Sequence, residues 1–296
     1  MAVLAIDIGG TKLAAGIVDC EGRMLARGEV PTRATDGLEP VLARIVALGR
    51  SLLSRPEVAD VQVHRIGVGC AGPVDLAAGL VFKPPNLPGW TRVPLTEHLE
   101  HGLGLPTILE NDANAAALGE FRYGAGRGVR SIVYMTVSTG IGGGIILDGK
   151  VWHGLKDAAG EIGHITVCPD GPLCGCGNQG CLEAMASGPS IARRAREAVS
   201  AGRSSALSGL ANVTSADVVR LAQEGDAVAS QVWADAVKYL GIGVAAVITF
   251  LAPERVVIGG GVTKAGDFLF QPLRGEVRRR VKLVPVESVP ILPAAL

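Results

Sequence analysis

A chain of 296 residues, 48% hydrophobic and 19% charged, can bury one large core or two smaller ones. Its formal net charge of zero argues against a nucleic-acid partner and against an anionic membrane surface. Met1 to Ile6 runs straight into Asp7 with no basic leader, and the apolar, charge-free stretch Tyr239 to Pro253 falls short of the about 18 apolar residues of a spanning segment, so a buried helix and a cytoplasmic protein are expected.

In chain order, Val3 to Ile8 predicts a strand, Gly9-Gly10-Thr11 a turn, and Leu13 to Val18 a second strand. A turn at Asp19 to Gly22 leads to a third strand, Met24 to Gly28. Leu38, Val41, Leu42, Ile45, Leu48 and Leu52 keep helical spacing. Ile66 to Ala71 and Thr107 to Glu110 read as strands, separated by a proline-rich stretch, and Ala113 to Tyr123 reads as a helix. The opening grammar then returns: Ile132 to Val137, a turn at Ser138-Thr139-Gly140, Gly143 to Leu147, a tight Asp148-Gly149 turn, and Lys150 to Trp152. Helices follow near Ser190–Ala201, Ser215–Gln223 and Val228–Leu251, and a strand at Arg255–Ile258 enters Gly259-Gly260-Gly261. Arg278-Arg279-Arg280 with Lys282 reads as a solvated face. The class is α/β, with two related domains expected at residues 1–112 and 113–296.

Gly/Thr turns between strands offer backbone N–H groups to phosphate oxygens. Gly9-Gly10-Thr11-Lys12 and Ser138 to Gly144 are therefore candidate halves of a nucleotide cradle facing one another across a cleft. One such turn alone would be an ordinary hairpin turn; the repetition favours the cradle. No G-x-x-x-x-G-K-S/T loop occurs. Gly67-Val-Gly69-Cys-Ala-Gly72 matches a dinucleotide fingerprint, but Pro73-Val74-Asp75 follows it where a helix is required, so it is a decoy.

His164, Cys174, Cys176 and Cys181 offer one nitrogen and three sulfurs, which fill a tetrahedral Zn²⁺ shell and make the metal structural. Cys168 lies close enough to compete, and Cys20 and Cys70 look like small strand residues. Glu161 precedes His164 by three positions, so one helical turn would bring them together, as a partner of the imidazole, as a sugar ligand, or both. Asp112 stands where a strand meets a helix. It is either an N-cap worth about 1 kcal/mol or a general base that takes a proton from a substrate hydroxyl. Asp7, ahead of the first turn, could orient Mg²⁺ through water or merely bond to that turn.

Taken together, Asp7 to Lys12, Ala71 to Asp75, Pro85 to Trp90, Glu110 to Glu120, Ser138 to Gly144, Gly160 to His164 and Cys174 to Glu183 resemble, in order, the repressor, open-reading-frame, kinase (ROK) family of sugar kinases, and within it the bacterial glucokinases. That resemblance implies a two-domain actin-like ATPase (ribonuclease H-like) fold with the site in the interdomain cleft. It implies ATP-dependent phosphorylation of a hexose, glucose foremost, at its 6-hydroxyl, with Asp112 as base. Asn86, Asn111, Glu161, His164 and Glu183 would hold the ring hydroxyls. Gly10, Thr11 and Lys12 would face the phosphates, with Thr139 and Gly140 opposite and Gly260 and Gly261 near the adenosine. The family habit is a homodimer or homotetramer. Regulator members carry an N-terminal helix-turn-helix, whereas this chain begins at the first phosphate strand; similar proteins also continue past a strand like Ile291–Pro293 into a further helix. Fructose, N-acetylglucosamine or N-acetylmannosamine as acceptor, polyphosphate as donor, a non-catalytic sugar-binding regulator and a structural zinc protein are the competing readings.

Overall fold

Leu4, Ile6 and Ile8 alternate with Val3 and Asp7 along β1 (Ala2–Ile8), burying one face of the strand and opening the other. The computed structural model describes every residue from Met1 to Leu296. β1 pairs antiparallel with β2 (Lys12–Asp19), which pairs antiparallel with β3 (Met24–Pro31). β4 (Val63–Cys70) lies parallel to β1 on its other side. A small antiparallel sheet of β5 (Val74–Asp75), β6 (Leu80–Val81) and β7 (Val93–Pro94) comes before β8 (Thr107–Asn111), which completes the order β3-β2-β1-β4-β8. Helix α1 (Leu38–Leu53) buries Val41, Leu42, Ile45, Leu48 and Leu52 as one stripe against β2 and β3. Helix α2 (Leu95–Leu103) packs on β8 and ends at Gly104, whose φ of 71° supplies the left-handed stop.

From β8 the chain turns directly into α3 (Asp112–Tyr123). Then the opening pattern repeats. β9 (Ile132–Val137), β10 (Ile141–Leu147) and β11 (Lys150–Val151) run antiparallel, joined at the last turn by Asp148 and Gly149, both at positive φ as a tight hairpin demands. After a helical region, β12 (Arg255–Gly259) and β13 (Ile291–Pro293) add in parallel, giving β11-β10-β9-β12-β13. Order and strand directions match the first sheet, so the duplication read from the turns extends to whole sheets.

The helical region comprises α4 (Leu182–Ala186), α5 (Gly188–Ser200), α6 (Ser215–Gln223) and α7 (Ala227–Leu251), and α8 (Asp267–Arg280) follows β12. By length and composition α7 could cross a membrane, with a mean hydropathy of 1.6, but half of that window is buried, against α4, α5, α6 and α8. It is the central core helix. Met1–Ala115 with His153–Ala158 form one compact unit, and Ala116–Trp152 with Ala159–Leu296 form the other. Each unit has its own apolar cluster, around Leu4, Ile17 and Ile66 in the first and around Met135, Leu240 and Ile258 in the second.

Local expectations fare unevenly. The Gly67–Gly72 stretch runs from β4 into β5 with no helix behind it. The arginines at 278–280 occupy the last turn of α8, where two of them pair with Glu276, and cations suit that helix end. Cys20 is not a strand residue: it is exposed in the turn after β2, while Cys70 ends β4 fully buried. Burial pushes the Cys70 thiol up to about 12, and the charges of Asp112 and Asp7 add to the effect.

Candidate functional site

In the first unit the turn after β1 is closed by the Gly9 N–H donating to the Lys12 carbonyl at 3.0 Å. Thr32, fully buried, donates its hydroxyl to the Gly9 carbonyl at 2.6 Å and its N–H to the Thr11 carbonyl at 3.0 Å. Thr32 thereby fixes the turn from the end of β3. A Cβ on Gly10 would lie 2.4 Å from the Asn86 Cβ and 2.8 Å from its carbonyl oxygen, so only glycine lets turn and loop touch. The Asn86 loop is held by Leu87 and Trp90, both buried, which leaves Asn86 itself exposed beside Gly10. Lys12 is engaged elsewhere: its ammonium lies 3.3 Å from Glu29 in an exposed pair of small energetic weight.

At the β8–α3 corner the capping side chain is a neighbour of Asp112. The Asn111 Oδ1 accepts the N–H groups of Ala113 at 2.9 Å and Asn114 at 3.2 Å, so Asn111 caps α3. Its Nδ2 alone remains free for a ligand. Asp112 is the first helical residue, and its Oδ1 accepts the adjacent Ala113 N–H at 2.8 Å. The protein around Asp112 raises its carboxyl above the ordinary value, mainly by desolvation, with the Ala113 N–H pulling the other way; the side chain keeps an open face to water, which tempers the shift. Asp7 is also raised, first by desolvation and next by the charge of Asp112, with Lys12 opposing. Two carboxylates that feel each other in this way would both be relieved by a divalent cation.

In the second unit the equivalent turn, after β9, closes through the Ser138 N–H on the Gly140 carbonyl at 2.9 Å. Ser138 and Thr139 are exposed. The Glu183 Oε2 accepts the Ile141 N–H at 2.8 Å, and a Cβ on Gly140 would meet the same oxygen at 2.6 Å. One oxygen of the expected sugar ligand Glu183 is therefore committed to the turn. Gly260, at φ 92°, sits against the end of β9, where a Cβ would meet the Val137 carbonyl at 2.5 Å, and Gly261 lies beside Ser138. The turn and the Gly260-Gly261 pair thus form one backbone-lined surface.

The segment after β11 carries the other candidates. Gly163 presses on β10 so closely that a Cβ would lie 2.0 Å from the Ile141 carbonyl. Ile162–His164 forms one 3-10 turn, and the Glu161 Oε2 lies 3.7 Å from the His164 Nε2. His164 and Cys174, Cys176 and Cys181 place one donor atom each within 4.8 Å of one another. The Cys176–Cys181 sulfur separation and the Cys174 sulfur to His164 Nδ1 separation are both 3.7 Å. A tetrahedral ion with sulfur at about 2.3 Å needs a sulfur–sulfur edge of about 3.8 Å, so the donor set fits Zn²⁺. Cys168 stands outside this group, its sulfur accepting from the Tyr239 hydroxyl at 3.6 Å.

Sequence reasoning missed Thr32, Asn178 and His153. Asn178 donates to the Cys181 sulfur at 3.6 Å and to the Thr166 hydroxyl at 3.0 Å, joining the two arms of the cysteine segment. His153 Nε2 lies 2.8 Å from the Glu110 Oε2. The strand-end position of Thr32 and the cysteine-loop position of Asn178 were available signals; nothing local marked His153.

A glucokinase of Thermotoga maritima is 40% identical over 280 residues, 93% of this chain and 86% of its own. An N-acetylmannosamine kinase of Citrobacter koseri is 37% identical over 271 residues, 92% of this chain and 87% of its own. The crystal structure of a ROK family glucokinase from Streptomyces griseus in complex with glucose and AMPPNP superposes with a TM-score of 0.84 at 36% identity, covering 100% of this chain and 95% of that one. The duplicated sheets are accordingly those of the actin-like ATPase fold. The ROK family profile matches residues 3–296, and the chain belongs to the ROK family.

Proposed function

We propose that this protein transfers the γ-phosphoryl group of ATP to the 6-hydroxyl of a hexose, with glucose as the principal acceptor. The observation that carries the reading is Asp112, a carboxylate at a strand–helix corner that Asn111 frees from capping duty. The similarity to glucokinases over nearly the whole chain supports it. Asp112 would accept the hydroxyl proton as the oxygen attacks phosphorus, and its raised pKa makes it a better proton acceptor. The first unit also offers Asn86 and the Nδ2 of Asn111 to ring hydroxyls, and the second offers Glu161, His164 and the free oxygen of Glu183. The N–H groups of Gly10 and Thr11 with Lys12, and of Thr139 and Gly140, suit the phosphates, and Gly260 and Gly261 suit the adenosine. Mg²⁺ held through water by Asp7 would supply charge neutralisation on the transferring group.

Zn²⁺ at His164, Cys174, Cys176 and Cys181 would be structural, since four protein donors leave no open position. Thiolate ligation supports a reducing, cytoplasmic setting, and a homodimer or homotetramer is the assembly we propose. A second acceptor, N-acetylmannosamine, is favoured by the similarity to the C. koseri kinase. A panel of glucose, fructose, N-acetylglucosamine and N-acetylmannosamine crossed with ATP and polyphosphate tests the proposal. The highest kcat/KM is expected for glucose with ATP; no sugar phosphate from any pair would move the protein to the regulators.

A further inference from the structure

We propose that His153 is a positioning residue for phosphoryl transfer, acting through Glu110 to fix the corner that carries Asp112. The inference rests on the reading of Asp112 as the base. Glu110 spans that corner with one carboxylate. Its Oε1 accepts the Asn111 N–H at 2.9 Å and the Asn114 Nδ2 at 3.1 Å, gripping the chain on both sides of Asp112. Asn114 is itself buried, at 2% exposure. The Oε2 has one protein partner, the His153 Nε2 at 2.8 Å. Without it the carboxylate is free to rotate, and each rotation strains or releases the two bonds that hold residues 111 and 114.

His153 reaches Glu110 because the chain leaves β11 and returns to the first unit for residues 153–158. That strap holds Lys156 at φ 51° and Asp157 at φ 59°, left-handed conformations costly for residues with a Cβ. The Asp157 Oδ2 accepts the Leu76 N–H at 3.0 Å and anchors the far end. A strained segment tied at both ends is a rigid mount for the imidazole, and it leads directly into Gly160-Glu161. The bland alternative is a surface pair of no consequence. Against it, the side chains are 35% and 21% exposed, whereas those of the Lys12–Glu29 pair are 51% and 54% exposed. The other Glu110 oxygen is, moreover, already committed to the corner.

The test compares His153→Leu, which keeps bulk but removes the ring N–H, with His153→Gln, whose amide can donate from the same place. Glucose phosphorylation by the full chain should lose about tenfold or more in kcat for the Leu variant, since small misplacement of a reacting group is costly. KM for glucose and ATP should stay within about twofold, and Gln should recover most of kcat. Amide exchange at residues 111–114 should quicken with Leu and slow again with Gln, a readout independent of turnover. Unchanged kcat and exchange with Leu, a loss confined to KM, or no rescue by Gln overturns the inference while leaving the kinase reading intact. A wild-type protein inactive on every hexose overturns both.

Discussion

The two sheets are copies in strand order and direction, yet each unit fixes its site by different means. In the first, the Gly-rich turn is clamped by a buried threonine and a touching asparagine loop, and the corner at Asp112 is held by amide and carboxylate hydrogen bonds. In the second, the turn is clamped by Glu183, two positions beyond a cysteine of the candidate metal cluster. The insertions decide this. Between β4 and β8 the first unit inserts a small sheet and the Asn86 loop; between β11 and β12 the second inserts the cysteine segment and four helices. A duplicated frame supplies the paired turns and the β8–α3 corner, and unrelated insertions add the loops that touch those turns.

The largest expected effect falls on the first unit alone. Asp112→Asn removes the proton acceptor but leaves the Asn111 cap, so kcat should fall about 100- to 10,000-fold with fold and metal content unchanged. Steady-state kinetics with metal analysis checks this. Turnover within about threefold of wild type would remove Asp112 from the chemistry and end the contrast between a catalytic and a scaffolding unit.

Next comes the second unit. Cys181→Ser, or chelation, should disorder residues 164–183, lower Tm by about 10 °C and raise the glucose KM about tenfold, because a lost structural metal site costs several kcal/mol. Burial pushes the Cys181 thiol up to about 12, and a bound cation would be what ionises it. Hydrogen exchange should quicken in the second unit and leave β1–β4 protected. Equal loosening of both units would show that the metal stabilises the whole molecule and not one insertion.

What could be read in advance follows from the range of each interaction. Alternation along β1, helical spacing in α1 and the repeated turns are local, and they place both sheets. The ligand cluster is local too, since Cys174 to Cys181 fits one loop. Asn111 and Asp112 show the limit: both are capping residues by type, and only the backbone path at the corner decides that Asn111 caps. His153 lies 43 residues from Glu110 and follows a strand of the other sheet, so its destination depends on tertiary folding alone. Cys20 failed for another reason: β2 ends one residue before it, within the usual uncertainty of a strand boundary.

The two Gly-rich turns offer a finer comparison. Alanine at Gly10 drives its Cβ into the Cβ and backbone oxygen of Asn86, neither of which can move without the loop. Alanine at Gly140 meets only the carboxylate end of Glu183, which can swing aside and give up the Ile141 N–H. Gly10→Ala should therefore cost about 1–3 kcal/mol of stability, as overpacking does. Gly140→Ala should cost about 0.5–1.5 kcal/mol, the value of one hydrogen bond. Denaturant unfolding of the two variants checks the order, and the reverse order would mean that the Asn86 loop yields more easily than the Glu183 carboxylate.

The smallest effect concerns what the charge of Asp112 costs its own unit. Because the folded Asp112 carboxyl holds its proton more tightly than the unfolded one, folding is favoured below the ordinary value of 3.8, and that advantage is lost as pH rises through the raised value. At pH 7 the charged side chain is then a mild burden, and its charge also helps raise the Asp7 carboxyl. Asp112→Asn should raise Tm at pH 7 by about 1 °C, a shift kept small by the solvent that reaches the side chain, and the gain should disappear near pH 3. Paired melts of the two proteins at pH 7 and pH 3 decide it. A variant less stable than wild type at pH 7 would mean that Asp112 supports the corner electrostatically, as a residue in the first turn of a helix can. The separation between Asn111 as cap and Asp112 as base would then have to be redrawn.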